Sequence, residues 1–188
     1  MSSCGASGRH AAASGCACLA HPGLGRRAAL GLTASALLAT GLGPRMVRAA
    51  SGQYEAMLVN CIDPRITSID FAFMESRQMR DRYSQFVFAG GPIAAVHPHF
   101  AAWHQTFWDN LDITTQLHEI RGVVGLTHRD CGAAKLALGD AAVATPEAET
   151  ASHAAILREF RAAIGQHKPG LTVFTGITAL DGTILAID

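Results

Sequence analysis

The first 50 residues contain no Asp or Glu; their charges are Arg9, Arg26, Arg27, Arg45 and Arg48. The chain has 15 Lys and Arg in all, so ten of them face all 15 acids in residues 51–188, a net of −5. That acidic part also lacks a basic cluster, which excludes nucleic acid as a partner. No internal repeat or low-complexity tract follows residue 50, which excludes a solenoid and a disordered tail. The apolar stretch Ala28 to Leu42 falls short of the roughly 20 residues that a membrane span needs. Cysteine is scarce where it counts: only Cys61 and Cys131 lie beyond residue 50.

What is present in residues 1–50 describes a leader. Arg26-Arg27 is a twin arginine, the run after it is modestly apolar, and Val47-Arg48-Ala49-Ala50 offers small residues for cleavage. Residues 1–50 are therefore expected to be a Tat-like signal peptide, and residues 51–188 one domain, exported to the periplasm with no stable membrane span after cleavage. A start at Met46 gives a cytoplasmic protein instead. Cys16-x-Cys18 leaves with the leader.

Four apolar runs end in polar turns. They are Met57 to Asn60, Gln85 to Ala89, Val123 to Thr127 and Leu171 to Gly176. Helical patterns separate them. One runs from Pro98 to Ile120, with Trp103, Phe107 and Leu111 in step and Phe100, Trp108 and Leu117 beside them, and Gly122 ends it. Another opens at Thr145-Pro146 and runs to about Gln166 on Ile156, Phe160 and Ile164. Asp181-Gly182 turns a final hairpin, Ala179 to Leu185. The fold class expected is α/β, a mainly parallel sheet of four to five strands flanked by helices, with an antiparallel edge strand.

Ligand sites in open α/β sheets lie beyond the carboxyl ends of the strands. Cys61 leaves the first strand there, and His128 and Cys131 leave the third. Thiolate and imidazole are preferred zinc ligands, and three of them leave a fourth position open. Paired cysteines in an exported chain also allow a Cys61–Cys131 disulfide. Asp63 and Arg65 follow Cys61 at two-residue steps, so Arg65 can hold the Asp63 carboxylate by a bidentate bond; the alternative is an ordinary turn with a surface ion pair. Asp130 reads as a helix-start residue. His97, His99 and His104 read as a polar helix start stiffened by Pro98, with metal binding or proton shuttling as the alternative.

The pair of motifs, Cys61-x-Asp63-x-Arg65 and His128-x-x-Cys131-Gly132, resembles the β-class carbonic anhydrases in order and spacing along most of Ala56 to Asp188. The resemblance implies a Zn2+ cofactor on Cys61, His128 and Cys131, with Asp63 and Arg65 as the catalytic dyad. It also implies that Asp63 serves as a fourth ligand in a closed state from which Arg65 withdraws it. The activity implied is reversible hydration of CO2 to bicarbonate, a small-molecule substrate, in a homodimer. One stretch departs from the family. Relatives commonly carry Arg-Asn-Ala-Gly after the second strand, where this chain has Phe86-Val87-Phe88-Ala89-Gly90-Gly91. The apolar replacement suits a linear apolar substrate such as CS2 or COS on the same zinc. Loss of turnover, leaving a non-catalytic zinc-binding relative, is the other alternative.

Overall fold

The computed structural model describes residues 52–188. The expected leader lies outside them. Five strands form one sheet: β1 (Ala56–Asn60), β2 (Tyr83–Val87), β3 (Gly122–His128), β4 (Thr172–Thr178) and β5 (Ile184–Ile187), in the order β2-β1-β3-β4-β5. The first four run parallel, and β5 returns antiparallel on β4 through the Asp181-Gly182 turn. The expected fold class is the one observed.

The helices are α1 (Thr67–Ser76), α2 (Pro92–Val96), α3 (Ala101–His118), α4 (Gly132–Leu138) and α5 (Pro146–His167). Short 3-10 turns precede α3 at Pro98–Phe100 and α5 at Asp140–Val143. Among the described residues no helix is long and apolar enough to cross a membrane.

β1 and β3 are buried along their whole length, as central parallel strands covered on both faces must be. Side chains alternate between faces. Met57, Val59 and Val123 pack with Phe107 and Leu111 of α3 and with Phe160 and Ile164 of α5. Leu58, Val124 and Leu126 pack on the other face with Met74 of α1. Gly125 belongs to the first face, and a Cβ there would stand 2.7 Å from the Phe160 ring, so its missing side chain lets α5 lie close to the sheet.

Several boundaries differ from expectation. β2 runs from Tyr83 to Val87 rather than from Gln85 to Ala89, because the register on β1 ends at Asn60↔Val87. Gly122 does not stop a helix. It opens β3, and α3 ends on Glu119 in the left-handed conformation (φ 46°). On α3, Phe107 and Leu111 are fully buried, but Trp103 and Leu117 are 42% and 48% exposed, so the buried stripe is narrower than the spacing suggested. Pro92 opens α2 at the favoured first position. α5 buries Ile156, Phe160 and Ile164 as expected.

Candidate metal centre

β1 and β3 are neighbours and run parallel, so their carboxyl ends meet at one edge of the sheet. Cys61 follows β1 directly, His128 is the last residue of β3, and Cys131 is the N-cap of α4. All three are buried, and their donor atoms lie within 4.8 Å of one another. Both cysteines are free, so the disulfide alternative is not realised.

Each donor is oriented by its surroundings. The Gly90 N–H donates to Cys61 Sγ at 3.2 Å. His128 Nδ1 lies 2.9 Å from the Arg129 carbonyl oxygen. A carbonyl only accepts, so Nδ1 carries a proton, and in the neutral ring Nε2 keeps its lone pair. That Nε2 is buried and has no hydrogen-bond partner. A buried lone pair without a partner is costly, and a metal ion among the three donors would satisfy it.

The electrostatics fit the same conclusion. A hydrogen bond from the Cys131 thiol holds the Cys61 thiol well below its ordinary value, so Cys61 is the favoured thiolate. The same bond pushes Cys131 up. Burial pushes the His128 imidazolium down, but the Cys61 thiolate more than reverses this, and the net shift is up. Two sulfurs and an imidazole thus share protons in a space where a divalent cation would replace them. In residue type and separation Cys61, His128 and Cys131 could hold a metal ion.

Asp63 and Arg65 lie in the turn after Cys61, as expected. Arg65 clasps the Asp63 carboxylate with Nε (3.0 and 3.2 Å) and Nη2 (2.7 Å), and its own backbone N–H donates to Asp63 Oδ1 at 2.9 Å. Those bonds hold the Asp63 carboxyl at about 2, well below the usual range. The bonds to Asp63 and Asp130 push the guanidinium up. Asp63 Oδ2 is 4.0 Å from His128 Nε2. A cleft of about 300 Å³ opens here, lined by Cys61, Ile62, Asp63, Ala89, His128 and Ala133 among others. Beside it lies an apolar cavity of about 360 Å³ between Ile62, Phe86, Phe88, Ala89, Trp103 and Thr106; the two share Ile62 and Ala89.

One expectation needs correction. Asp130 does not start a helix: Cys131 caps α4, and Asp130 sits in the turn at φ 55° with its carboxylate 2.7 Å from Arg65 Nη1. The histidines at 97, 99 and 104 do form a helix start, with His97 Nδ1 accepting from the His99 N–H and His104 Nε2 bonding the His97 carbonyl. Among the described residues they belong to no metal-ligand group.

Sequence reasoning missed the supports. Asp70 of α1 is fully buried and accepts from Asn60 Nδ2 and Thr178 Oγ1, both at 2.8 Å. Asn60 precedes Cys61, and Thr178 is the register partner of His128, so one carboxyl braces the strand ends beside two ligands. Burial raises the Asp70 carboxyl, and the two hydrogen bonds lower it by less. Glu149, at the start of α5, accepts from the Asp130 N–H at 2.7 Å and from Arg129 Nη1 at 3.1 Å, which secures the turn between His128 and Cys131. The one signal in the sequence was the acid in the first turn of the Thr145-capped helix, which also reads as a favourable dipole contact.

No family model matches the chain. It is 34% identical over 128 residues to the uncharacterized protein RC0076 of Rickettsia conorii, across 68% of this chain and 69% of that one. It is 31% identical to an uncharacterized protein of Rickettsia bellii, across 68% of this chain and 78% of the other. The chain belongs to their family. Among solved structures it is similar to tetrameric β-carbonic anhydrases of Sordaria macrospora, with a TM-score of 0.50 and 14% identity over 85% of this chain and 94% of that one. The likeness is one of fold.

Proposed function

We propose that the protein is a zinc-dependent carbonic anhydrase that interconverts CO2 and bicarbonate. The observation that carries this is the meeting of two buried thiols and an unpartnered imidazole nitrogen with an Arg-held carboxylate, in a fold shared with β-carbonic anhydrases. Cys61, His128 and Cys131 would hold zinc, which would supply Lewis acidity toward a water molecule. Asp63 stays ionised across the physiological range and is the hydrogen-bond acceptor that orients the attacking water. Arg65 fixes that carboxylate with a fork of donors. Ile62, Ala89 and Ala133 give the cleft an apolar wall that limits competing water and admits an apolar gas.

A second reading has its own support. The cavity beside the cleft is lined by Phe86, Phe88 and Trp103, with Phe88 stacked on Phe107 at 6.0 Å, where the family commonly has polar groups. Such walls favour CS2 or COS, hydrolysed on the same centre. Stopped-flow CO2 hydration set against sulfide release from CS2 and COS separates the two. Activity on neither substrate, with zinc bound, leaves a non-catalytic zinc protein. We also propose self-association, by analogy with the tetrameric Sordaria enzymes; light scattering of the purified protein tests it.

A further inference from the structure

Arg65 is half exposed, and an exposed ion pair alone fixes a side chain poorly. Its donors are divided between two carboxylates. Nε and Nη2 take Asp63, while Nη1 takes Asp130 Oδ2 at 2.7 Å and Nη2 also reaches the Asp130 carbonyl oxygen at 3.0 Å. The two carboxylates therefore take different nitrogens of the guanidinium and do not compete. Asp130 is 78% exposed and cannot owe its place to packing. It holds a left-handed backbone (φ 55°), unusual for a residue with a side chain. The buried Glu149 carboxylate secures it there through the Asp130 N–H. A continuous series of bonds thus runs from α5 through Glu149, Asp130 and Arg65 to Asp63.

We propose that Asp130 is a positioning residue that keeps Asp63 out of the ligand set by anchoring Arg65. This rests on the reading of Cys61, His128 and Cys131 as a zinc site. Asp63 Oδ2 already lies 4.0 Å from His128 Nε2, and carboxylate is itself a zinc ligand, so Asp63 released from its clasp competes for the open position. Arg65 prevents this only while its own far side is fixed.

The test uses the full-length protein loaded with Co2+, whose visible absorption reports the ligands, and titrates it with inorganic thiocyanate. Asp130→Asn and Asp130→Gly both tolerate the left-handed backbone and remove the charge. Both are expected to bind cobalt as the parent does and to weaken thiocyanate about fivefold, the scale of an exposed charge pair. In an Asp63→Asn background the Asp130 change should alter thiocyanate affinity by less than about twofold, since the competing carboxylate is gone. Unchanged affinity in both Asp130 variants overturns the proposal. So does an equal loss in the two backgrounds, which would mean that Asp130 acts through its field alone. A parent protein that takes up no cobalt overturns the zinc-site reading and this inference with it.

Discussion

Gly91 sets the distance between the turn after β2 and the Cys61 backbone. A Cβ there would stand 2.9 Å from the Asn60 carbonyl carbon and 3.1 Å from the Cys61 nitrogen, at φ 52°. Gly91→Ala is expected to cost about 2 kcal/mol or more, from strain and a backbone clash together. A thermal melt measures the stability loss, and metal analysis should show weaker retention. Asp63→Asn is expected to keep the metal and lose on the order of 10²–10⁴ in hydration rate, since the amide is a poorer acceptor and takes no proton; single-wavelength stopped flow measures it. That Cys61, His128 and Cys131 meet and that Arg65 clasps Asp63 was legible in the sequence, because polar residues at the exits of parallel strands gather at one edge of the sheet. Asp70 and Glu149 were not. Asp70 meets Thr178 across 108 positions and Glu149 meets Asp130 across 19, and neither pairing leaves a local pattern.

Among the elements, α5 joins the core to the site. Its His153 is fully buried, 3.0 Å from Thr127 Oγ1, with Nε2 unpartnered. Burial holds the His153 imidazolium at about 4, below its ordinary 6.5. The unfolded chain therefore binds the extra proton between those values, and the folded one does not. This contribution is fully present above pH 6.5 and is lost as pH falls towards about 4, by roughly 3 kcal/mol in all. Urea titrations of the parent and of His153→Gln from pH 7 to pH 4.5 should show the parent's advantage shrinking on acidification; a constant gap would contradict it. The periodicity of this helix was readable from Ile156, Phe160 and Ile164. The end of α3 was not, since a glycine after a helix looks like a stop whether it caps the helix or, like Gly122, opens the next strand. The shift of β2 has the same origin: Phe88 continues the apolar pattern, but the parallel register on the five-residue β1 ends at Val87.

At the scale of the whole molecule, parallel pairing of β1 with β3 turns two distant motifs into one centre, and the alternation of strands and helices was enough to foresee it. The apolar run at Phe86 and Phe88 foreshadows the apolar cavity, but its other wall, Trp103, falls in step with core positions of α3 and is half exposed. The leader proposed for residues 1–50 predicts that changing Arg26 and Arg27 to Lys retains the protein in the cytoplasm. Fractionation tests this, and unchanged periplasmic delivery would contradict a twin-arginine route. Everything proposed about chemistry depends on the ion. Metal analysis of the purified protein, beside its Cys131→Ser variant, is the most direct test. The expected result is about one zinc per chain in the parent and its loss in the variant. Absence of any transition metal from the parent, with a Cys61–Cys131 disulfide under non-reducing mass spectrometry, would contradict the account.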